Sequence, residues 1–425
     1  MSEPGRVASK KLRMALVLGG AGALLLALGL AASLLVPAAV APAQAPAPSW
    51  LTFAPSKAQV KKLAELRAAL GPGETRFPSS ELHRRDNAKL FMYLAGTSDE
   101  QDVVLAALDA VQAAYSSRSS KKEAPDRDLE RVLRKHLASA DPARAQAAFA
   151  AARIPLMAEQ AGGELLGELV RIAETGPTPG LRWLALEALN LLPPDRRSPA
   201  VLESFLHASA EEPGLAVLAL LGLSASDRSL RAAPELRQAA LGRAQALAAA
   251  QDPGVRGTAL QVLVELDPQA LGKGSTLARA ALTDPHPYVR AQAAWALGRP
   301  FIGDEGDIHL LMPLTRDLAE ARAVVHGPRG LDGNELETSR KVHGGRFVAE
   351  VALLAVKALA LRLLPAPTDP NAPVPSEVRP PPRLTIGSRT SGLEQVQDSA
   401  ALMRIWYETE RDRLPPSPGR HDGPK

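Results

Sequence analysis

"TDPHPYVRAQAAWALGR", Thr283 to Arg299, opens with an aspartate and two prolines and runs into an alanine-rich stretch that stops at Gly298 and Pro300. Pro285 and Pro287 lack the N–H that a helix interior requires but are tolerated in a first turn, so a helix is expected to start beside them. Val289, Ala293 and Leu297 recur every four residues and give that helix one apolar face. A second stretch, "QDPGVRGTALQVLVEL", begins the same way: Asp252 lies 32 positions before Asp284, and Val255, Ala259, Leu263 and Leu266 share a face. A helix of three turns is marginal alone in water, so each copy requires something to bury its face. A neighbouring copy is the expected partner.

Further copies exist. Aligned on the residue after the turn, they are Arg290 in "PYVRAQAAWAL", Arg256 in "PGVRGTALQVL", Ala216 in "PGLAVLALLGL", Arg182 in "PGLRWLALEAL", Arg144 in "DPARAQAAFAA" and Val104 in "QDVVLAALDAV". Successive differences between those numbers are 34, 40, 34, 38 and 40. A second helical run precedes each, such as "GELLGELVRIAE" before Arg182, so the unit is a helix pair. "GRFVAEVALLAVKALALRLL" reads as a later unit reached across an insertion.

These residues resemble the HEAT repeats. The likeness rests on the Asp-Pro turn, on Val289 and Arg290, Val255 and Arg256, and Leu181 and Arg182 at the start of the second helix, and on the Ala and Leu that follow. It covers about residues 57–364 and is clearest over 141–299. Ala216 and Val104 depart from the pattern, as do the terminal units, which must cap a stack. Tetratricopeptide repeats have a similar period, but their tryptophan, Leu-Gly and tyrosine signature is missing. The resemblance implies an all-α, right-handed α-solenoid of about seven helical hairpins. It also implies that the turn arginines Arg144, Arg182, Arg256 and Arg290 bond turn aspartates of their own or a neighbouring repeat, with Asp141, Asp252 and Asp284 placed for that. β-branched and aromatic residues form no alternating runs, so no sheet is expected.

The ends differ from the middle. Residues 1–13 carry Arg6, Lys10, Lys11 and Arg13 against Glu3, and no charge occurs from Met14 to Ser56. Met14–Val36 is 23 residues long, enough for one bilayer crossing, and the preceding basic cluster orients the N-terminus to the cytoplasm. An uncleaved transmembrane anchor with the solenoid extracytoplasmic, periplasmic in a bacterium, is the favoured reading; secretion after signal cleavage near Ala41-Pro42-Ala43 is the alternative. Ala15, Gly19, Ala23, Ala27 and Ala31 form a small-residue stripe that reads as a dimerisation face or as a result of alanine-rich composition. Residues 37–56 read as a Pro/Ala linker. From 365 to 425 the chain is a proline-rich tail with a short helix near 393–413, whose Leu402, Ile405 and Trp406 are expected to make one apolar face.

Formal net charge is +4, of which the first 13 residues supply +3, so the balance argues for no nucleic-acid partner. The chain has no cysteine, which excludes disulfides, thiolate nucleophiles and Cys-type zinc sites. Its eight histidines are scattered; His309, His326 and His343 fall 17 apart without a metal-binding spacing. Ser119 and Lys122 match Ser-x-x-Lys in a polar loop, and Asp304, Glu305 and Asp307 lack the rest of a calcium loop. No cofactor, metal ligand or catalytic residue is assigned. The insertion "HGPRGLDGNELETSRKVHGG", residues 326–345, is expected to project from the stack, with Arg329, Arg340 and Lys341 as candidate contacts to a protein partner. The reading is a membrane-tethered scaffold; a non-catalytic HEAT-like subunit of an enzyme or lyase complex and nucleic-acid binding along an arginine ridge are the alternatives.

Overall fold

Prolines start most of the helices, and what lies between them decides which faces are buried. The computed structural model describes residues 51–418 except 72, 83–86, 117–126, 140, 158–160, 272–274, 327–338, 365–377, 385 and 387–391. The expected anchor, the small-residue stripe, Ser119, Lys122 and Arg329 lie outside the described residues. Among those described, no helix is long and apolar enough to cross a membrane.

Helix α1 spans Lys57–Ala69, capped by Ser56 in a capping box with Gln59. Then follow α2 (Ala88–Thr97), α3 (Gln101–Ser116), α4 (Arg127–Leu137), α5 (Pro142–Met157), α6 (Gly163–Thr175) and α7 (Pro179–Asn190). The stack continues with α8 (Pro199–Ala208), α9 (Pro213–Ser224), α10 (Pro234–Leu247), α11 (Pro253–Leu266), α12 (Thr276–Ala281) and α13 (Pro287–Leu297). Proline occupies the first helical turn of α7, α8, α9, α10, α11 and α13, where its missing N–H has no intrahelical partner to lose. Thr178 and Asp252 accept the N–H of Leu181 and Val255 and so cap α7 and α11.

Each pair packs internally, α2 on α3 through α12 on α13, and consecutive pairs pack in two rows. First helices form one row (α2, α4, α6, α8, α10) and second helices the other (α3, α5, α7, α9, α11, α13). Close approach between them needs small residues. A Cβ on Gly257 would lie 2.4 Å from the Tyr288 ring of the next repeat, and one on Gly222 would lie 2.7 Å from the Phe205 ring of α8. The last pair sets residues 308–316 against α14 (Val348–Arg362).

Two expectations fail here. The first is the absence of a sheet: β1 (Glu320–His326) and β2 (Ser339–Phe347) form an antiparallel hairpin between the two helices of the last pair. It does not simply project. β1 packs on α9, α11 and α13, and β2 on α13 and α14. Ala321 and Ala323 are buried whereas Glu320 and Arg322 are exposed and ion-paired, a period of two written with alanine, which carries little strand signal. The second is the tail helix, α15 (Leu393–Glu410): Trp406 is buried, but Leu402 and Ile405 are 49% and 67% exposed. The face that packs on α14 is instead Val396, Ala400, Met403 and Trp406, so the helix is rotated from the expected face.

The tail is held by polar contacts as well. The Trp406 indole donates to the Arg379 carbonyl at 2.8 Å, and His309 bonds both Tyr407 Oη and the Pro415 carbonyl at 2.8 Å. Buried Glu410 accepts from the Arg379 N–H and from Arg413. At the other end the described residues begin at Leu51, inside the expected linker. Thr52 donates its N–H and hydroxyl, and Phe53 its N–H, to Asp128 on α4. Burial alone would raise the Asp128 carboxyl, but these donors and Arg131 outweigh it and hold the group below its ordinary value.

Candidate protein-interaction surface

The turn arginines form a ladder. Arg256 on α11 donates from Nε and Nη2 to the two Asp284 oxygens at 3.0 Å, and from Nη1 to the carbonyls of Ala250 and Gln251 at the end of the preceding first helix. Arg290 repeats this with Asp317 and with the carbonyls of Asp284 and Pro285. Arg182 joins the Ala173 carbonyl to Glu211. That hydrogen bond, against opposing burial, holds the Glu211 carboxyl below its ordinary value. Each of these three arginines thus ties carbonyls of the last turn or of the loop after the preceding first helix to a carboxylate of the next repeat.

The aspartates divide differently from the expectation. Asp284 serves the arginine of the repeat before it, Asp252 caps its own helix at Val255, and Asp141 accepts the N–H groups of Ala143 and Arg144. Arg144 is the loose member, donating to the Asp99 carbonyl with its Nε 3.6 Å from Asp141.

A second ladder runs along the first-helix row. Arg134 pairs with Glu164, Arg237 bonds the Leu266 carbonyl near Asp267, and Arg279 donates to fully buried Asp307 at 2.7 Å. A recurrent arginine-to-acid separation of 28–30 residues would have exposed it in the sequence. Asp307 and Asp304 also form a capping box, so that acidic turn is engaged in the fold. Arg197 had no sequence signal: it is buried and donates to the carbonyls of Asn190, Leu192 and Gly222 and to the Ser226 hydroxyl, with burial pushing its guanidinium down to about 10.

The second-helix row is uneven. On α9 every residue from Gly214 to Ser224 except Leu221 is buried. Leu218 and Ser224 are buried on α9, whereas the equivalent Leu184 and Asn190 of α7 are partly exposed. β1 packs on α9, and Ala323 joins the same apolar cluster. Further toward the N-terminus the row is open. Partly exposed stripes follow helical spacing: Leu105 and Asp109 on α3, Gln146, Ala150 and Arg153 on α5, and Leu184, Glu187 and Leu191 at α7.

Of the expected contact residues, Arg340 and Lys341 stand on β2 opposite Val325 and Val324; their side chains are outside the described atoms. His326 and His343 lie on the two strands, whereas His309 is committed to the tail.

Residues 240–325 match the family of HEAT repeats, from α10 into β1. That segment is similar to HEAT repeats. No curated protein matches it. Its backbone has a TM-score of 0.44 to a crystal structure of importin beta at 14% identity, covering 84% of this chain and 46% of that one. A structure of Kap95p with RanGDP gives 0.44 at 13%, covering 85% and 46%, so the chain spans about half the length of both. An engineered protein gives 0.32 at 14%, covering 84% of this chain and 97% of the other. The HEAT segment begins in α10, the first helix of the pair that carries Arg256, and ends in β1, so the hairpin starts where the regular repeat stops.

Proposed function

We propose that this HEAT-repeat chain is a scaffold that binds a protein partner along the open second-helix row, and that residues 14–36 hold it to a membrane on the extracytoplasmic side. The observation that supports the binding surface is the contrast within one row: α9, on which β1 packs, is buried almost throughout, whereas α3, α5 and α7 present parallel stripes in which leucine and alanine alternate with Asp109, Arg153 and Glu187. Mixed apolar and charged area of that kind suits a protein interface. Nucleic acid is the poorer reading, because the ridge arginines spend their donors on carbonyls and carboxylates.

Affinity capture with the tagged full-length chain tests this. Arg153→Glu and Glu187→Arg should each lose the partner with an unchanged melting temperature; retention of the partner by both variants rules out this face. Membrane attachment is tested separately by a high-salt wash, which an anchored chain survives. A mature N-terminus near Gln44 would refute the anchor.

A further inference from the structure

Residues 378–384 read "VRPPPRL", and three consecutive prolines leave that stretch little conformational choice. Each proline fixes its own φ at about −65° and bars the residue before it from the helical region, so Arg379, Pro380 and Pro381 are extended in the polyproline manner. The chain has no helix, strand or turn over 379–384. A polyproline helix has about three residues per turn, so positions three apart share a face. Burial follows that period. Val378 is buried and Pro381 and Leu384 are half-buried on one row, whereas Pro380 and Arg383 are both exposed on the next.

The strand is fixed at its ends and free in its middle. Val378 belongs to the apolar cluster of the last repeat, and Leu384 and Ile386 pack against that cluster. Arg379 donates its N–H to buried Glu410 at 3.2 Å, and its carbonyl accepts from the Trp406 indole at 2.8 Å. Its own guanidinium is answered by Glu410, 3.7 Å from Nε. Between these anchors Pro380, Pro381 and Pro382 take part in no hydrogen bond among the described residues, and Arg383 has no ion pair among them. Trp406 thus reads one carbonyl of the strand from within the chain, and the carbonyls that follow are open to a second indole.

We propose that residues 379–383 are a docking ligand for a partner protein with a tryptophan-lined groove and an acidic rim. The groove ring packs on Pro380, its indole donates to a free proline carbonyl, and a rim carboxylate meets Arg383. An added β-strand is excluded as the occupant, because residues 380–382 have no N–H to pair with it. The outward row is Pro-x-x-Arg and not Pro-x-x-Pro, so one contact of the partner is aromatic and the other acidic. Anchoring at both ends sets the conformation before binding and so lowers the ordering cost. This surface lies on the tail, outside the second-helix row, so a failure here leaves the test at Arg153 and Glu187 standing.

The probes are a panel of isolated WW domains, modules whose aromatic groove packs on proline, labelled and titrated with the full-length chain in non-ionic detergent by fluorescence anisotropy. At least one domain should bind, and replacing its groove tryptophan with alanine should weaken binding at least about tenfold. Pro380→Ala and Arg383→Glu should each weaken the intact domain by about the same factor, with an unchanged melting temperature because neither side chain has a partner in the fold. No binding across the panel, equal binding by the domain without its tryptophan, or indifference to both substitutions overturns the proposal. So does a lower melting temperature in both variants, which would make the strand part of the internal packing alone.

Discussion

Helices α7 and α9 are built on one turn, yet α7 reads "PGLRWLALEALN" and α9 "PGLAVLALLGLS". The first keeps Arg182, Glu187 and Asn190; the second has no charge and ends in Ser224. Both stand in the second-helix row, and β1, about a hundred residues later, packs on α9. Loss of the polar stripe on one repeat therefore accompanies packing supplied from far along the chain.

Replacing 320–346 with a short linker should have the largest effect. It would remove the packing of β1 on α9, α11 and α13 and the burial of Ala321 and Ala323, and should lower the melting temperature and raise dye binding to exposed apolar surface. A parent-like melt would break the comparison. Next is Gly257→Ala, whose methyl would strike the Tyr288 ring; a cost of about 1–3 kcal/mol in denaturant unfolding is expected. Arg256→Ala should cost about 1.5–3 kcal/mol, because it breaks charged hydrogen bonds at a partly buried site, whereas Arg144→Ala should cost about 1 kcal/mol or less. Equal losses from those two would mean that the ladder is uniform along the stack.

The smallest effect concerns the N-terminal strap. Because the folded Asp128 carboxyl lies below its ordinary 3.8, the unfolded chain binds the proton more readily. Its contribution is therefore present above about pH 4 and lost as pH falls through the lower, folded value. Asp128→Asn should flatten the acid limb of the stability curve, and a limb identical to the parent's would show that the strap contributes nothing.

The helix pairs were legible because their signals are local: proline in a first turn, an Asp or Thr cap, apolar residues every three or four positions. The turn arginines were legible as a ladder and Asp284 as an acceptor from a neighbouring repeat, but Glu211 and Asp317 as acceptors and the Arg279 to Asp307 pair were not, since they depend on how one repeat sits on the next. The hairpin was missed because its inward positions are alanines, and Leu402 and Ile405 were misplaced because α15 has apolar residues on more than one side. Of the candidate contacts, Arg340 and Lys341 were placed in an insertion whose strands turn out to be part of the stack.

What the amino-acid sequence determined by itself is the repeating unit: short-range propensity and capping make each helix, and the incomplete amphipathicity of each helix requires a neighbour. What only the tertiary structure decided is which neighbour. Which strand or helix packs on α9 and on α14 depends on contacts between residues scores of positions apart, and local periodicity carries no information about those distances.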